Sequence, residues 1–249
     1  MYQKIKYIIK KIVPKKIFFE HEETLRSCYS LFYSGKKHQC NICGKYLRIF
    51  VLLSNADSLC PNCGSLKRNR RLWSLLETEF LVPNSVVLDF SPSRCLYRKM
   101  KKMKNINYQS TDLSRDFIAD YRFDITNLEI SDNTFDLIIC YHILEHIDND
   151  ILAIKELFRV MKPGAKALIQ TPFKDGEIYE DNNIITKEDR IKHFGQEDHV
   201  RIYSVSGLNK RLQDCGFFVE IRDFFLSENK YYFDKKETII VITKPLNSK

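Results

Sequence analysis

The sequence predicts an α/β protein, with a mostly parallel sheet covered by helices and a small metal-binding module ahead of it. Three observations carry this. Strand-length apolar runs, Val86–Phe90, Phe135–Cys140 and Ala165–Pro172, alternate with stretches of helical periodicity, the pattern of β-α-β units. The second run ends abruptly in Tyr141, His142, Glu145 and His146. A buried strand that delivers titratable groups in this way reads as the carboxyl edge of a parallel sheet, where such folds keep their sites. Ahead of the strands, four cysteines fall into two pairs, Cys40-x2-Cys43 and Cys60-x2-Cys63.

Length and charge bound the rest. A chain of 249 residues suffices for one full domain plus a small module. The net charge is +8, and residues 1–39, with nine Lys/Arg against three Asp/Glu, hold +6 of it. Such a segment suits an anionic partner, whether lipid headgroups, nucleic acid or an acidic carrier, or acts as a solubilising arm. No apolar run approaches the ~20 residues of a membrane span. Lys4, Lys6, Lys10 and Lys11 interrupt any signal-peptide core. Without a secretion signal, the eight cysteines favour reduced thiols and metal binding, and a cytoplasmic protein is expected.

In chain order, residues 1–20 interleave Ile, Val, Tyr and Phe with Lys. They predict a helix, ended near Pro14, that either lies on an anionic membrane surface or docks on the main domain. Residues 22–36 read as a second short helix. The spacing C-x2-C-x16-C-x2-C predicts a structural zinc on Cys40, Cys43, Cys60 and Cys63. Gly44 and Gly64 permit the left-handed turn of each knuckle, and the intervening YLRIFVLL serves as a ribbon strand. Two disulfides are the competing arrangement, less suited to a reducing compartment. Lys67–Arg71 opens an amphipathic helix. Its arginines either grip phosphates or, the preferred expectation, pair with carboxylates between the ribbon and the following domain.

Val86–Phe90 is the first strand of the sheet, followed by the loop Ser91–Arg94 and a helix from Cys95 to Lys104. Tyr108–Leu113 reads as the second strand and ends in Asp112, an acid suited to accept from a ribose diol. Tyr121–Thr126 reads as a third strand, carrying Asp124 and Ile125. After the Phe135–Cys140 strand, Asp148 or Asp150 caps a helix with Ile151, Ile154, Leu157, Phe158 and Met161 on its apolar face. Lys162-Pro163-Gly164 stops it before the strand Ala165–Pro172. Residues 173–203 form a connection long and polar enough to be a lid or substrate-binding insertion. A helix over Ser206–Cys215 and a hairpin of Phe218–Phe224 with Thr238–Thr243 complete the chain.

Several of these segments resemble the class I S-adenosylmethionine (SAM)-dependent methyltransferases. FDLIICYHILEH matches their fourth strand and following loop, and ELFRVMKPGAKALIQTP their next helix–strand unit. Val87-Leu88-Asp89 matches the start of their cofactor motif, with Ser91, Ser93 and Cys95 where the family has glycines. The segment His193–Tyr203, with its FGQ-x-DHVR-x-Y pattern, resembles a bacterial subgroup that also carries a ribbon; the likeness covers roughly residues 38–245. It implies a Rossmann-like, seven-stranded, mostly parallel sheet and three segments: a basic helical arm (1–37), the zinc ribbon and linker helix (38–82), and the methyltransferase domain (83–249).

The same resemblance implies SAM as cofactor. Asp89, Phe90, Ser91 and Ser93 would lie at its methionine end, Asp112 and Leu113 at the ribose, Asp124 and Ile125 at the adenine, and Tyr141 and His142 below the sulfonium. The expected reaction is methyl transfer to an oxygen or nitrogen of a small-molecule or glycan-type acceptor. The general base would be His199, with Asp198 beside it, or His142. His142-x-x-Glu145-His146 also resembles a Mg²⁺ site of quinone O-methyltransferases in part. The competing functions are an RNA methyltransferase that binds through the ribbon and a non-catalytic zinc-stabilised binding module. The even charge beyond residue 39 makes nucleic acid the less favoured partner.

Overall fold

The computed structural model describes residues 15–54, 57–225, 231–233 and 236–246, with side chains from residue 21 onward. The expected basic helix ended near Pro14 lies outside the described residues. The chain divides into two compact units, Met1–Leu75 with Ser227–Asp234, and Leu76–Leu226 with Lys235–Lys249.

In the first unit a single helix, α1 (Lys15–Ser30), replaces the short helix expected over 22–36. It passes through one 3₁₀ turn, Leu31–Tyr33, into β1 (Ser34–Gln39). The stretch YLRIFVLL does not form one ribbon strand. It splits into β2 (Tyr46–Leu47), paired antiparallel with β1, and β3 (Val51–Leu52), paired antiparallel with β4 (Ser58–Leu59). The break falls where Phe50 turns inward, 3% exposed, under the Arg70 guanidinium, whose carbon sits 4.0 Å from the ring centre. Each knuckle therefore carries its own short hairpin. Helix α2 (Lys67–Leu75) closes the unit.

The second unit holds a six-stranded mixed sheet. Its elements are β5 (Val86–Phe90), α3 (Arg94–Lys101), β6 (Asn107–Thr111), β7 (Phe135–Tyr141), α4 (Asp150–Val160), β8 (Met161–Gln170), α6 (Val205–Asp214), β11 (Phe218–Phe224) and β12 (Glu237–Thr243). The strand order is β11-β12-β8-β7-β5-β6, parallel from β8 to β6, with the β11–β12 hairpin antiparallel. Between β8 and α6 lie β9 (Tyr179–Glu180), α5 (Lys187–Phe194) and β10 (Arg201–Ile202), with β9 and β10 paired antiparallel.

β7 explains its own continuous apolar run. Leu137, Ile138, Ile139 and Cys140 are all buried because both faces of a parallel strand are covered. α4 buries Ala153, Ile154, Leu157 and Val160, the i, i+1, i+4, i+7 stripe of a helix on a sheet. Its cap is Asn149, whose side chain accepts from the Leu152 N–H at 3.0 Å, rather than Asp148 or Asp150. Truncating Leu157, fully buried in this core, would cost about 2–5 kcal/mol.

The expected third strand is missing from the described sheet. Residues 121–126 reach the sheet through the isolated bridge Thr111–Tyr121, and Asp124 bridges locally to Asn127. The reason is local. The Asp120 carboxylate accepts from the backbone N–H of Ser110 at 3.1 Å, and the Ser110 carbonyl accepts from Asp120 and Tyr121. A side chain thus takes an edge donor that a neighbouring strand would have used, and six strands stand where seven were expected.

Candidate functional site

The four cysteines of the first unit converge. Their sulfurs lie within 4.8 Å of one another, with Cys40–Cys63 at 3.6 Å and Cys43–Cys60 at 3.8 Å. Four thiolates about 2.3 Å from a tetrahedral ion would stand about 3.8 Å apart. The sulfurs are much too distant for the disulfide alternative, whose S–S length is about 2.05 Å.

The two knuckles are near copies. Gly44 and Gly64, at φ 73° and 77°, donate to the carbonyls of Cys40 and Cys60, and the N–H groups of Cys40 and Cys60 donate to those of Lys45 and Ser65. The Ser65 hydroxyl lies 3.4 Å from the Cys40 sulfur and 3.2 Å from that of Cys63. The donor set fits a structural zinc, with no position left open.

Arg70 fits that charge. It is fully buried and donates to the carbonyls of Ser58, Ser65 and Tyr231 and to the Ser58 hydroxyl, while interacting electrostatically with Cys40, Cys60 and Cys63. Arg70 is thereby tied to backbone carbonyls of the first unit. Arg71 lies over the Phe233 ring. Lys67 and Arg68 approach the Asp57 carboxylate, each at 3.9 Å.

The carboxyl edge of the sheet gathers most of the expected cofactor residues. Ser91 follows β5 at φ 45°, the left-handed backbone that glycine adopts without strain, so the loop holds a glycine-like backbone despite carrying a side chain. Its hydroxyl donates to Asp112 Oδ1 at 2.7 Å. Asp112 Oδ2 accepts from the Ser114 hydroxyl at 3.0 Å and the Phe117 N–H at 3.3 Å. The carboxylate is therefore fixed at the edge, although Asp112 is only 5% exposed. Ser93 starts α3 with its hydroxyl 3.3 Å from the Cys95 sulfur.

Asp89 is turned away from the loop. It is buried and accepts from the Tyr108 hydroxyl at 3.0 Å, and burial pushes its carboxyl up to about 7, against the smaller opposing effect of that hydrogen bond. Phe90 and Ile125 are core residues, each 4% exposed, whereas Leu113 is exposed. Asp124 is exposed and its Oδ1 accepts from the N–H and hydroxyl of Thr126.

Beyond β7, His142 also has a left-handed backbone, at φ 57°, and its N–H donates to the Gln170 carbonyl at 2.7 Å. Its Nδ1 lies 3.2 Å from Glu145 Oε1, while its Nε2 is buried with no hydrogen-bond partner. Glu145 is 1% exposed. Burial raises its carboxyl, but the His142 hydrogen bond and the charges of His142 and His146 outweigh that and hold it below the usual range. Tyr141 is partly buried beside His142.

The segment 198–203 closes onto this turn. Asp198, beside His199 in the chain, faces His146: its backbone carbonyl and its carboxylate each lie 3.3 Å from His146 Nδ1. His199, 4% exposed, packs edge-on against His146 with ring centres 4.7 Å apart. Burial, and then the neighbouring His146, lowers its pKa, against the smaller opposing effects of Glu145 and Asp198. The Val200 N–H donates to the Glu145 carbonyl.

Arg201, 6% exposed, donates to the carbonyls of Leu144, Ile147 and Asp148 and to Glu180 Oε2. Tyr203 donates to Asp150 Oδ2, which also receives Arg211. The two motifs that stood out in the sequence, LEH and DHVR-x-Y, are one structure. Sequence reasoning noticed both, but missed Arg201 and Tyr203 as anchors and Ser91 as the partner of Asp112. Only the polarity of the block hinted at any of this.

Comparison with known proteins now decides the family. A family model described as a methyltransferase domain matches residues 67–220, more than half of the chain. The chain belongs to this methyltransferase family. Its fold is the Rossmann-like α/β fold of SAM-dependent methyltransferases, with a mixed sheet and a four-cysteine cluster near its N-terminal region, and its class is enzymatic.

Solved structures agree on the fold. A chain of the complex between the Haloferax volcanii Trm112 methyltransferase activator and a methyltransferase is similar at TM-score 0.52 and 14% identity, covering 72% of this chain and 90% of that one. Haemonchus contortus phosphoethanolamine N-methyltransferase 2, bound to phosphomonomethylethanolamine and S-adenosylhomocysteine, is similar at TM-score 0.50 and 14% identity, over 71% of this chain and 53% of that one. An uncharacterised protein of Methanocaldococcus jannaschii is 36% identical over 87 residues, 33% of this chain. The match spans only 38% of that relative's length.

Proposed function

We propose that this methyltransferase transfers the methyl group of SAM to an oxygen or nitrogen of a small-molecule or glycan-type acceptor, with a structural zinc on Cys40, Cys43, Cys60 and Cys63. The observation that carries the reading is the carboxyl edge of β5, β6 and β7, where a glycine-like Ser91, a fixed Asp112 and an unpartnered His142 Nε2 follow three successive strands. SAM, when bound, supplies a methyl group already activated on a sulfonium sulfur.

The chain's own residues bind and align. The Asp112 carboxylate, held by Ser91 and Ser114, is the acceptor for ribose hydroxyls, and Asp124 serves the adenine end. The backbone of Asp89–Ser93 serves the methionine end, since the side chains of Asp89 and Phe90 are buried. Alignment of this kind can supply up to about 7–11 kcal/mol of a barrier. With Nδ1 held by Glu145, His142 Nε2 is the atom placed to take a proton from the acceptor, a contribution of about 10²–10⁴-fold. His199, with Asp198 beside it and two residues from its anchor Arg201, is the second candidate base.

A cavity of about 680 Å³, lined in part by Gln170, Thr171, Lys174, Asn209 and Asp223, opens at the end of β8. Gln170 pairs in register with Tyr141, so the cavity begins one strand away from His142. Its polar lining, including an unpartnered Gln170 Oε1 and Thr171 Oγ1, suits a hydroxyl-rich acceptor. The engagement of Arg70 and Arg71 within the ribbon removes them from phosphate binding and favours this acceptor over RNA. We place the protein in the cytoplasm, where the positive charge of residues 1–20 suits the anionic inner face of the membrane.

Calorimetry with SAM and S-adenosylhomocysteine tests the reading without an acceptor. Asp112→Ala should weaken both ligands roughly ten- to a hundred-fold, the cost of about 1.5–3 kcal/mol for hydrogen bonds to a charged acceptor. Absence of heat and of thermal shift with either ligand, in zinc-replete wild type, would overturn it in favour of a non-catalytic module.

A further inference from the structure

The turn after β7 and the segment before β10 bring together three donor side chains that cofactor binding does not use. One carboxylate oxygen of Glu145 and one nitrogen each of His146 and His199 lie within 4.8 Å of one another, and Glu145 and His199 are buried. Donor atoms about 2.1 Å from one ion stand at most about 4.2 Å apart, so the three donors lie close to the range that one ion spans. We propose that Glu145, His146 and His199 bind a divalent first-row transition-metal ion, separate from the ion of the four cysteines.

The arrangement of the remaining atoms separates this from a buried polar cluster. Each of the three groups has one atom held by a neighbour. His146 Nδ1 meets Asp198 at 3.3 Å, the His199 ring hydrogen-bonds the backbone of Phe194, and Glu145 Oε1 meets His142 Nδ1 at 3.2 Å. Histidines that ligate metals have their second nitrogen held in this manner by a carboxylate or carbonyl oxygen. Glu145 Oε2 is buried without a hydrogen-bond partner. A purely structural cluster would have satisfied that atom, since an unpaired buried polar group is costly.

Two imidazoles and one carboxylate select iron, cobalt, nickel or zinc over magnesium, which prefers oxygen donors alone. Three protein ligands also leave open positions, and Glu145 ties the site to His142. If the methyltransferase reading holds, on which this role rests, the ligand class added is an acceptor that binds the ion through oxygen. The network of Arg201 and Tyr203 supports the geometry by holding Leu144–Asp150 against residues 198–203.

The test uses untagged, full-length protein whose cysteine cluster is loaded with zinc, dialysed against Co²⁺ and analysed for both metals. One Co²⁺ per chain should bind in addition to zinc, with weak visible bands and no thiolate charge-transfer band. His146→Ala and His199→Ala should each weaken Co²⁺ binding by about 100-fold or more. Asp198→Ala should weaken it less, within the roughly 10–100-fold typical of an outer-shell partner. The zinc content should not move in any of them. If His199→Ala fails to fold, His146→Gln, at a partly exposed position, carries the test. The proposal is overturned if no cobalt binds beyond the cysteine cluster, or if both histidine variants keep wild-type affinity. Calorimetry with S-adenosylhomocysteine on the same samples separates the two readings: cofactor binding without a second metal removes the metal site alone, and a second metal without cofactor binding removes the methyltransferase reading.

Discussion

Asp89→Asn probes the least expected feature of the cofactor edge, an acid buried at 2% exposure with the Tyr108 hydroxyl as its donor. In the unfolded chain this carboxyl loses its proton near pH 4. In the folded chain burial holds the proton up to about pH 7. Between those values the unfolded state binds fewer protons than the native state, so this residue makes stability fall as pH rises, and the loss is complete above pH 7. A gap of roughly three pH units, at about 1.4 kcal/mol each, amounts to about 4 kcal/mol, of which about 3 falls between pH 5 and pH 8. Asparagine keeps the shape and still accepts from Tyr108, but it does not ionise. Urea unfolding followed by circular dichroism at several pH values should therefore show the variant gaining on wild type by about 3 kcal/mol from pH 5 to pH 8. If the two stability curves run parallel across that range, Asp89 is ionised in the native protein and the assignment of its burial cost is wrong.

Cys43→Ser should release zinc, which in such sites can contribute about 10–16 kcal/mol of apparent binding energy to folding, and unfold the ribbon; elemental analysis and limited proteolysis read both effects. Arg201→Ala removes the guanidinium that holds three carbonyls of the 144–148 turn. It should cost about 3–5 kcal/mol and raise hydrogen exchange at Val200 and in that turn, so unchanged exchange there would show the anchor to be dispensable. Deleting residues 1–20 should abolish sedimentation with anionic vesicles at low salt while leaving S-adenosylhomocysteine binding intact. If the full-length protein ignores such vesicles, the arm only packs or solvates.

The parts legible in the sequence share one property: their determinants are local. The C-x2-C-G knuckles need only a fixed spacing and a glycine able to hold positive φ, so the cysteine cluster was readable four residues at a time. β7 declared itself because a strand covered on both faces must be apolar throughout, and α4 because its stripe has a helical period. Asp112 was readable as the acid closing a strand.

What the sequence left open was decided by partners distant along the chain. Whether 121–126 joins the sheet depended on the Asp120 carboxylate taking the Ser110 N–H, a competition between side chain and backbone that periodicity does not register. Asp198, exposed, lies against His146 instead of its chain neighbour His199, and the buried Arg70 takes backbone carbonyls, because a buried hydrogen-bonding group takes whatever partner the fold brings within reach. The sequence by itself thus determined the layers of this protein, its cysteine cluster and the edge of the sheet that bears the site. Only the tertiary structure decided which polar atoms there are spent on one another and which, like His142 Nε2 and Glu145 Oε2, remain without a partner. The physical reason is that apolar burial is set by local pattern, whereas each polar pairing is set by three-dimensional proximity.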